Sequence, residues 1–225
     1  MKVALLLSGK FRDSFECYNS LIDTLLSKYD VDIFISYFYE SPYDVDITMQ
    51  ELIDMYKPKS IIHHQLPKNI HDEIRNSNKL LKYTEVNTEN VFSMWYGVKR
   101  VNELKKEYEH KNKFKYDIVI RTRFDLKILN EFDLKNRKSS IHIPIGWDHR
   151  GGFNDLLAYG DSVSMDYYCE LYDKLTKYHD EGNRIHPEKM LKLHLDKSKQ
   201  ILVLRVPLKN SLRGMITSDT EYRCY

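Results

Sequence analysis

An α/β fold, built as a mostly parallel central sheet with helices on both faces, is predicted by three features of the chain. The first is a set of continuous apolar runs, Val3 to Leu7 and Ile118 to Ile120 among them, of the kind buried on both faces of a parallel sheet. The second is the alternation strand, helix, strand, helix, strand over the first 64 residues, which implies parallel pairing through right-handed crossovers. The third is length: 225 residues suit one large domain, and no linker, repeat or low-complexity tract divides them.

Each element has its own signal. After Ser8 and Gly9, residues Phe15, Tyr18, Leu21, Ile22, Leu25, Leu26 and Tyr29 recur at helical spacing, with Asp13 and Glu16 as a start signal. "VDIFIS" from Val31 reads as the second strand, Asp46 to Tyr56 as a helix, and "SIIHH" from Ser60 as the third strand. From Leu66 to Asn87 polar residues dominate, so a surface segment with one helical turn is expected. Val91, Met94, Trp95, Val98, Val101, Leu104 and Tyr108 then mark a long amphipathic helix leading into the strand at Tyr116. "SIHIP" and "LLAYG" read as strands around a Gly-rich loop, Ser162 to Tyr178 as a helix, and Pro187 as the opening of the last helix. "ILVLRV" closes the sheet, and residues 207–225 are expected to form a tail.

Composition excludes several classes. Lys plus Arg is 35 and Asp plus Glu is 33, and a net charge of +2 argues against binding nucleic acid through bulk phosphate attraction. Three cysteines without C-x-x-C spacing give neither a disulfide framework nor a zinc ribbon; reduced thiols and a cytoplasmic location are expected. "VALLL" is too short for a signal peptide's apolar region, and no run approaches a membrane span, so no transmembrane segment is expected.

Three constellations carry chemistry. "LLLSGKFRD" ends a strand in Ser8-Gly9 and adds Lys10 and Arg12, resembling the first turn of a nucleotide-binding sheet; an ordinary strand-to-helix turn is the alternative. In "YDIVIRTRFDLKI" a buried strand runs into Arg121, Arg123 and Asp125, which share one face if the strand continues. A carboxylate beside two guanidinium groups has parts for a metal-bridged diphosphate, but a second carboxylate is missing; an internal salt bridge is the alternative. In "GWDHRGGFNDLLAYGD", Trp147 offers a flat face to a sugar ring, while Asp148, His149, Asn154 and Asp155 crowd hydrogen-bonding groups into one loop; a capped turn is the alternative. The histidines match no zinc spacing.

In combination, "LSGKFRDSFECYNSLIDTLLSKYDVDIFIS", "FSMWYGVKRVNEL", "YDIVIRTRFDL", "GGFNDLLAYGDSVSM" and "HPEKMLKLHL" resemble a glycosyltransferase of the GT-A type, in particular the polysaccharide and lipopolysaccharide-type transferases of bacteria and large DNA viruses. The resemblance implies a single GT-A-like (Rossmann-like) domain with a nucleotide-binding half (1–115) and a metal and acceptor half (116–206). It implies transfer of a sugar from a UDP- or GDP-sugar donor to a hydroxyl of a glycan acceptor, in the host cytoplasm if the source is viral. It assigns donor contacts to Ser8, Gly9, Arg12, Arg121 and Arg123, Mn2+ or Mg2+ to Asp125, acceptor contacts to Trp147, Asp148 and His149, and the acceptor-facing catalytic role to Asp155. Arg123 stands where the first aspartate of Asp-x-Asp is usual, so the arginines themselves are candidates to neutralise the leaving diphosphate. The "DVD" triplets at Asp30 to Asp32 and Asp44 to Asp46 are not chosen as the metal site. Arg205, Lys209 and Arg213 around Gly214 are expected to close over the site. The rivals are a nucleotide-binding module without catalysis and a sugar nucleotidyltransferase.

Overall fold

The computed structural model describes residues 1–12, 14–39, 47–70, 72, 86–131, 133–134 and 137–212. Its strands are β1 (Val3–Gly9), β2 (Val31–Tyr37), β3 (Ser60–His63), β4 (Ile118–Thr122), β5 (Leu126–Ile128), β6 (Ser140–Pro144), β7 (Leu157–Gly160), β8 (Leu202–Val206) and β9 (Asn210–Leu212). The helices are α1 (Phe15–Leu21), α2 (Met49–Tyr56), α3 (Thr88–Asn112), α4 (Ser162–Cys169), α5 (Leu175–Asp180) and α6 (Pro187–Asp196). Seven strands form the main sheet in the order β3-β2-β1-β4-β7-β6-β8. β3, β2, β1 and β4 are mutually parallel, β6 and β8 are parallel, and β7 runs antiparallel to both β4 and β6.

Burial on both faces follows from the period-two geometry of strands. Along β1, Ala4 and Leu6 enter one core with Phe34, Val119 and the α3 residues Trp95, Val98 and Val101. Val3, Leu5 and Leu7 enter the other, with Leu21, Leu25, Leu52 and Tyr56 from the α1 and α2 side. A strand covered by helices on each face has no polar side to show, which is why its sequence is continuously apolar.

The outcome differs from expectation in five places. The α1 helix starts at Phe15 after Ser14 and widens into a π-helical segment over Ile22–Leu26; Asp13 lies outside the described residues. α2 starts at Met49 because Thr48 and Glu51 form a reciprocal capping box, with Thr48 N donating to Glu51 Oε2 at 2.8 Å and Glu51 N to Thr48 Oγ1 at 3.2 Å. The helix expected from Ser162 to Tyr178 is interrupted by a 3-10 segment, Glu170–Lys174. β7 is antiparallel because only a 3-10 turn, His149–Gly151, intervenes between β6 and β7, whereas a parallel return needs a long crossover. A two-stranded sheet also joins β5 to β9, so residues 210–212 of the expected tail pair with Leu126–Ile128.

One buried polar network fixes where α3 hands over to β4. Lys105 is fully buried; its Nζ lies 2.7 Å from Asp166 Oδ1 and 3.3 Å from Glu109 Oε2. Glu109 Oε1 accepts from Ser162 Oγ at 2.6 Å and from the Tyr116 main-chain N at 3.0 Å, two residues before β4 begins. Removing Lys105 takes the buried cation from both carboxylates and leaves them only Lys115, half-exposed, at 2.8 Å from Glu109 Oε2 and 3.5 Å from Asp166 Oδ2. Lys105→Met is therefore expected to lower the unfolding free energy by about 3–5 kcal/mol, read by urea denaturation; a loss below about 1 kcal/mol would show that the network behaves like a solvated surface pair.

Candidate active site

β1 turns to β2 on one side and is flanked by β4 on the other, so the sheet's connections diverge between β1 and β4. Such a switch point leaves a crevice beyond the carboxyl ends of the strands, where open α/β sheets take ligands. One lip is the end of β1. Ser8 is buried there, and Gly9 has φ 117, a conformation that side chains rarely adopt, with open space where a Cβ would stand. Arg12 follows with φ 55 and a half-exposed side chain.

The other lip is the turn after β4. The strand stops at Thr122, so Arg123 and Asp125 leave the sheet instead of continuing its alternation. Arg123 grips Asp125 in a fork, Nε to Oδ1 at 2.7 Å and Nη2 to Oδ2 at 2.7 Å. Arg12 Nη1 reaches across the crevice to Asp125 Oδ2 at 2.5 Å. Burial alone would raise the Asp125 carboxyl, but Arg123 and then Arg12 hold it below the usual carboxylate range.

Arg121 parts from the pair it was expected to join. Its side chain is fully buried, its guanidinium lies 5.7 Å from the Trp95 ring, and Nη1 donates to the main-chain oxygen of Asp155. It therefore sits beneath Asp155 inside the protein, out of reach of a ligand in the crevice. The antiparallel sense of β7 explains the meeting. Leu157, at the start of β7, pairs with Thr122 at the end of β4, which sets Asp155 beside Arg121 and Arg123.

The loop before β7 is built to present that aspartate. Arg205, on β8, donates from Nη2 to both Asp148 carboxylate oxygens at 2.8 Å and to Pro144 O at 2.7 Å. Asp148 Oδ1 also accepts from Asn154 N at 3.0 Å, and Asn154 Oδ1 from Leu156 N at 2.9 Å. Asp148 thus holds the loop, and Arg205 is committed to it instead of to a closing tail. Lys209 donates its main-chain N–H to Asn130 Oδ1 at 2.6 Å, while Arg213 and Gly214 lie outside the described residues.

A pocket of about 370 Å³ results, with Arg123, Trp147, His149, Asp155 and Glu188 on its walls and the first turns of α3 opposite. Trp147 takes φ 58 and its Nε1 is buried without a hydrogen-bond partner. His149 is exposed at the rim, its ring centroid 6.0 Å from that of Trp147. Glu188 is the member that the residue pattern did not reveal. It is the second residue of α6, where an acid usually sits in solvent near the helix N-terminus, yet it is buried. Only its place in "HPEKM" pointed toward it. Gly152 explains the burial: an added Cβ there would fall 2.3 Å from the Glu188 carbonyl carbon, and Phe153 N donates to Glu188 O at 3.0 Å.

The two carboxyls have unlike surroundings. Burial raises Asp155, with Arg121 and Arg123 opposing the rise. Glu188 is pushed up to about 8 by burial and by Asp155, then Asp148. His186 Nδ1 lies 2.9 Å from Glu188 Oε2, though outside the angular range of a hydrogen bond, and burial lowers its ring.

The divalent cation assigned to Asp125 does not fit the donor set. Both Asp125 oxygens accept from guanidinium groups, and among the described residues no group of three or more His, Cys, Asp or Glu is placed to hold a metal. Asp32 is taken by Tyr116 Oη at 2.7 Å and Lys59 at 3.1 Å, and the second "DVD" lies outside the described residues. Among those residues no helix is long and apolar enough to cross a membrane.

Two consequences can be measured. Gly152→Ala forces the loop away from the α6 backbone and is expected to cost about 1–3 kcal/mol in urea unfolding; a neutral substitution would mean that this contact does not seat the loop. Because folding depresses the Asp125 carboxyl, its contribution is present above the ordinary value of 3.8 and is lost as pH falls through the lower folded value. Asp125→Asn should therefore flatten the acid limb of stability below about pH 4, and an unchanged limb would remove Asp125 from the ion cluster. No protein-family model matches the chain, and no curated protein is significantly similar to it.

Proposed function

We propose that the chain is a GT-A type glycosyltransferase that moves a sugar from a UDP- or GDP-sugar to a hydroxyl of a glycan acceptor. The observation that carries this reading is adjacency: a cationic cluster at the sheet's switch point shares Arg123 with a pocket walled by Trp147, Asp155 and Glu188. Diphosphates want planar, fixed donors, and sugars want an aromatic face with carboxyl groups around it.

Each residue then has a task. Gly9 lets the donor approach the main chain, and Arg12 and Arg123 meet the diphosphate, with Asp125 holding Arg123 in its fork. Arg121 keeps Asp155 in place from below. In the inverting form of the reaction, Asp155 takes the proton of the acceptor hydroxyl as its oxygen forms a bond to the anomeric carbon. The bond from that carbon to the diphosphate breaks, and the departing oxygen keeps the electron pair opposite the guanidinium charges.

UDP, GDP or their sugar conjugates should raise the melting temperature in EDTA. A ligand at 100 times its Kd adds about 2.7 kcal/mol, and each kcal/mol is worth about 2–4 °C at this size. No shift with any nucleoside diphosphate or nucleotide sugar, with or without Mn2+, would sink the reading. With donor and acceptor in hand, Asp155→Asn should lose about 100- to 10,000-fold in transfer while donor binding persists. A parent that binds donor without any transfer would favour the non-catalytic binding module.

A further inference from the structure

Asp155 and Glu188 are both buried and open on one pocket, yet their partners differ in kind. Asp155 has two guanidinium groups, Arg121 and Arg123, and more distantly His186. Glu188 faces Asp155 and Asp148, and its one nearby base is His186, which is itself surrounded by His149, Lys189 and Arg150 as well as Asp155. Trp147 Nε1 in the same wall is buried without a hydrogen bond, and Glu188 Oε2 has only His186 Nδ1, 2.9 Å away and outside the angular range of a hydrogen bond. Buried polar atoms left unpaired in this way call for a partner from outside.

We propose that Asp155 and Glu188 bind one proton between them, so that Glu188 donates a hydrogen bond to one substrate oxygen while Asp155 accepts from a neighbouring hydroxyl. Two carboxyls in one desolvated site cannot both ionise without mutual repulsion, and the proton goes to the member with fewer cations. Glu188 is that member. The carboxyl pair then carries a single negative charge and presents one donor and one acceptor, which matches adjacent oxygens of a polyol. A divalent cation would need both groups ionised.

The substrate class rests on reading this pocket as the acceptor side of a transferase, but the shared proton does not, so it is tested without any substrate. The full-length protein labelled with ¹³C at the glutamate and aspartate carboxyls is titrated by NMR, alongside Glu188→Gln and Asp155→Asn. The expected result is one glutamate resonance, absent from Glu188→Gln, with a midpoint near the value of about 8 that burial and Asp155 impose. In Asp155→Asn that midpoint should fall by at least about one pH unit, the scale at which two groups count as coupled. Should Glu188→Gln not fold, the resonance displaced in Asp155→Asn identifies Glu188 instead. A parent in which no glutamate titrates above about pH 7, well clear of the ordinary carboxylate range, overturns the proposal, as does a Glu188 midpoint indifferent to Asp155. Failure of nucleotide sugars to bind would leave this titration intact and strike only the transferase reading.

Discussion

The guanidinium of Arg121 ties the two halves of the sheet together at the site. It is fully buried, and it bonds the main-chain oxygen of Asp155 across the seam where antiparallel β7 meets β4. A buried cation is costly, and this one has a single hydrogen bond, to the Asp155 main-chain oxygen, while its Nε and Nη2 are buried without one. The neighbouring elements therefore settle around it: the Trp95 ring of α3 on one side, and Asp155 at the mouth of the pocket on the other. Its place also bears on the polarity of the site, because its charge favours the ionised form of Asp155.

From that seam the charges sort themselves in space. Arg12, Arg123 and Asp125 gather at the switch point between β1 and β4, and the carboxyl pair lies on the β7 side with Arg123 common to both. Asp125 engages both Arg12 and Arg123, the two arginines that on the proposed reading meet the diphosphate. An arriving anion would find Arg123 already oriented by Asp125, and Arg12, half-exposed and bonded to Asp125 through one nitrogen, is the easier of the two to redirect. The loop that carries Asp155 is equally prepared, since the Arg205 to Asp148 bonds and the Gly152 contact fix it from both flanks.

Most of the architecture was legible in the sequence because apolar periodicity reports burial directly. Val3 to Leu7 and Ile118 to Ile120 proclaimed interior strands, and Pro187 opened α6 where proline is tolerated. What escaped depends on pairing between distant segments. The antiparallel sense of β7 is set by the lack of a crossover after Pro144, and the three-residue strands β5 and β9 are too short to carry a pattern. In the site, Gly9, Arg12, Arg123 and Asp125 were singled out at the carboxyl ends of strands and Asp155 in the Gly-rich loop that leads into β7, whereas Arg121 looked like its neighbour two residues on. A strand that ends one residue after Arg121 breaks that rule. Glu188 was hidden because an acid at the second position of a helix is ordinarily a solvated dipole partner, and only the Gly152 contact buries it.

The central claim is that the arginines across the β1 to β4 crevice hold a diphosphate without a metal, and calorimetric titration of UDP and GDP in EDTA tests it most directly. With parent, Arg12→Ala and Arg123→Gln compared in the same buffer, each variant should bind the preferred nucleotide at least about tenfold more weakly, because a hydrogen bond to a charged group contributes about 1.5–3 kcal/mol. Equal affinity in parent and both variants, or binding that occurs only when Mn2+ or Mg2+ is restored, would contradict it.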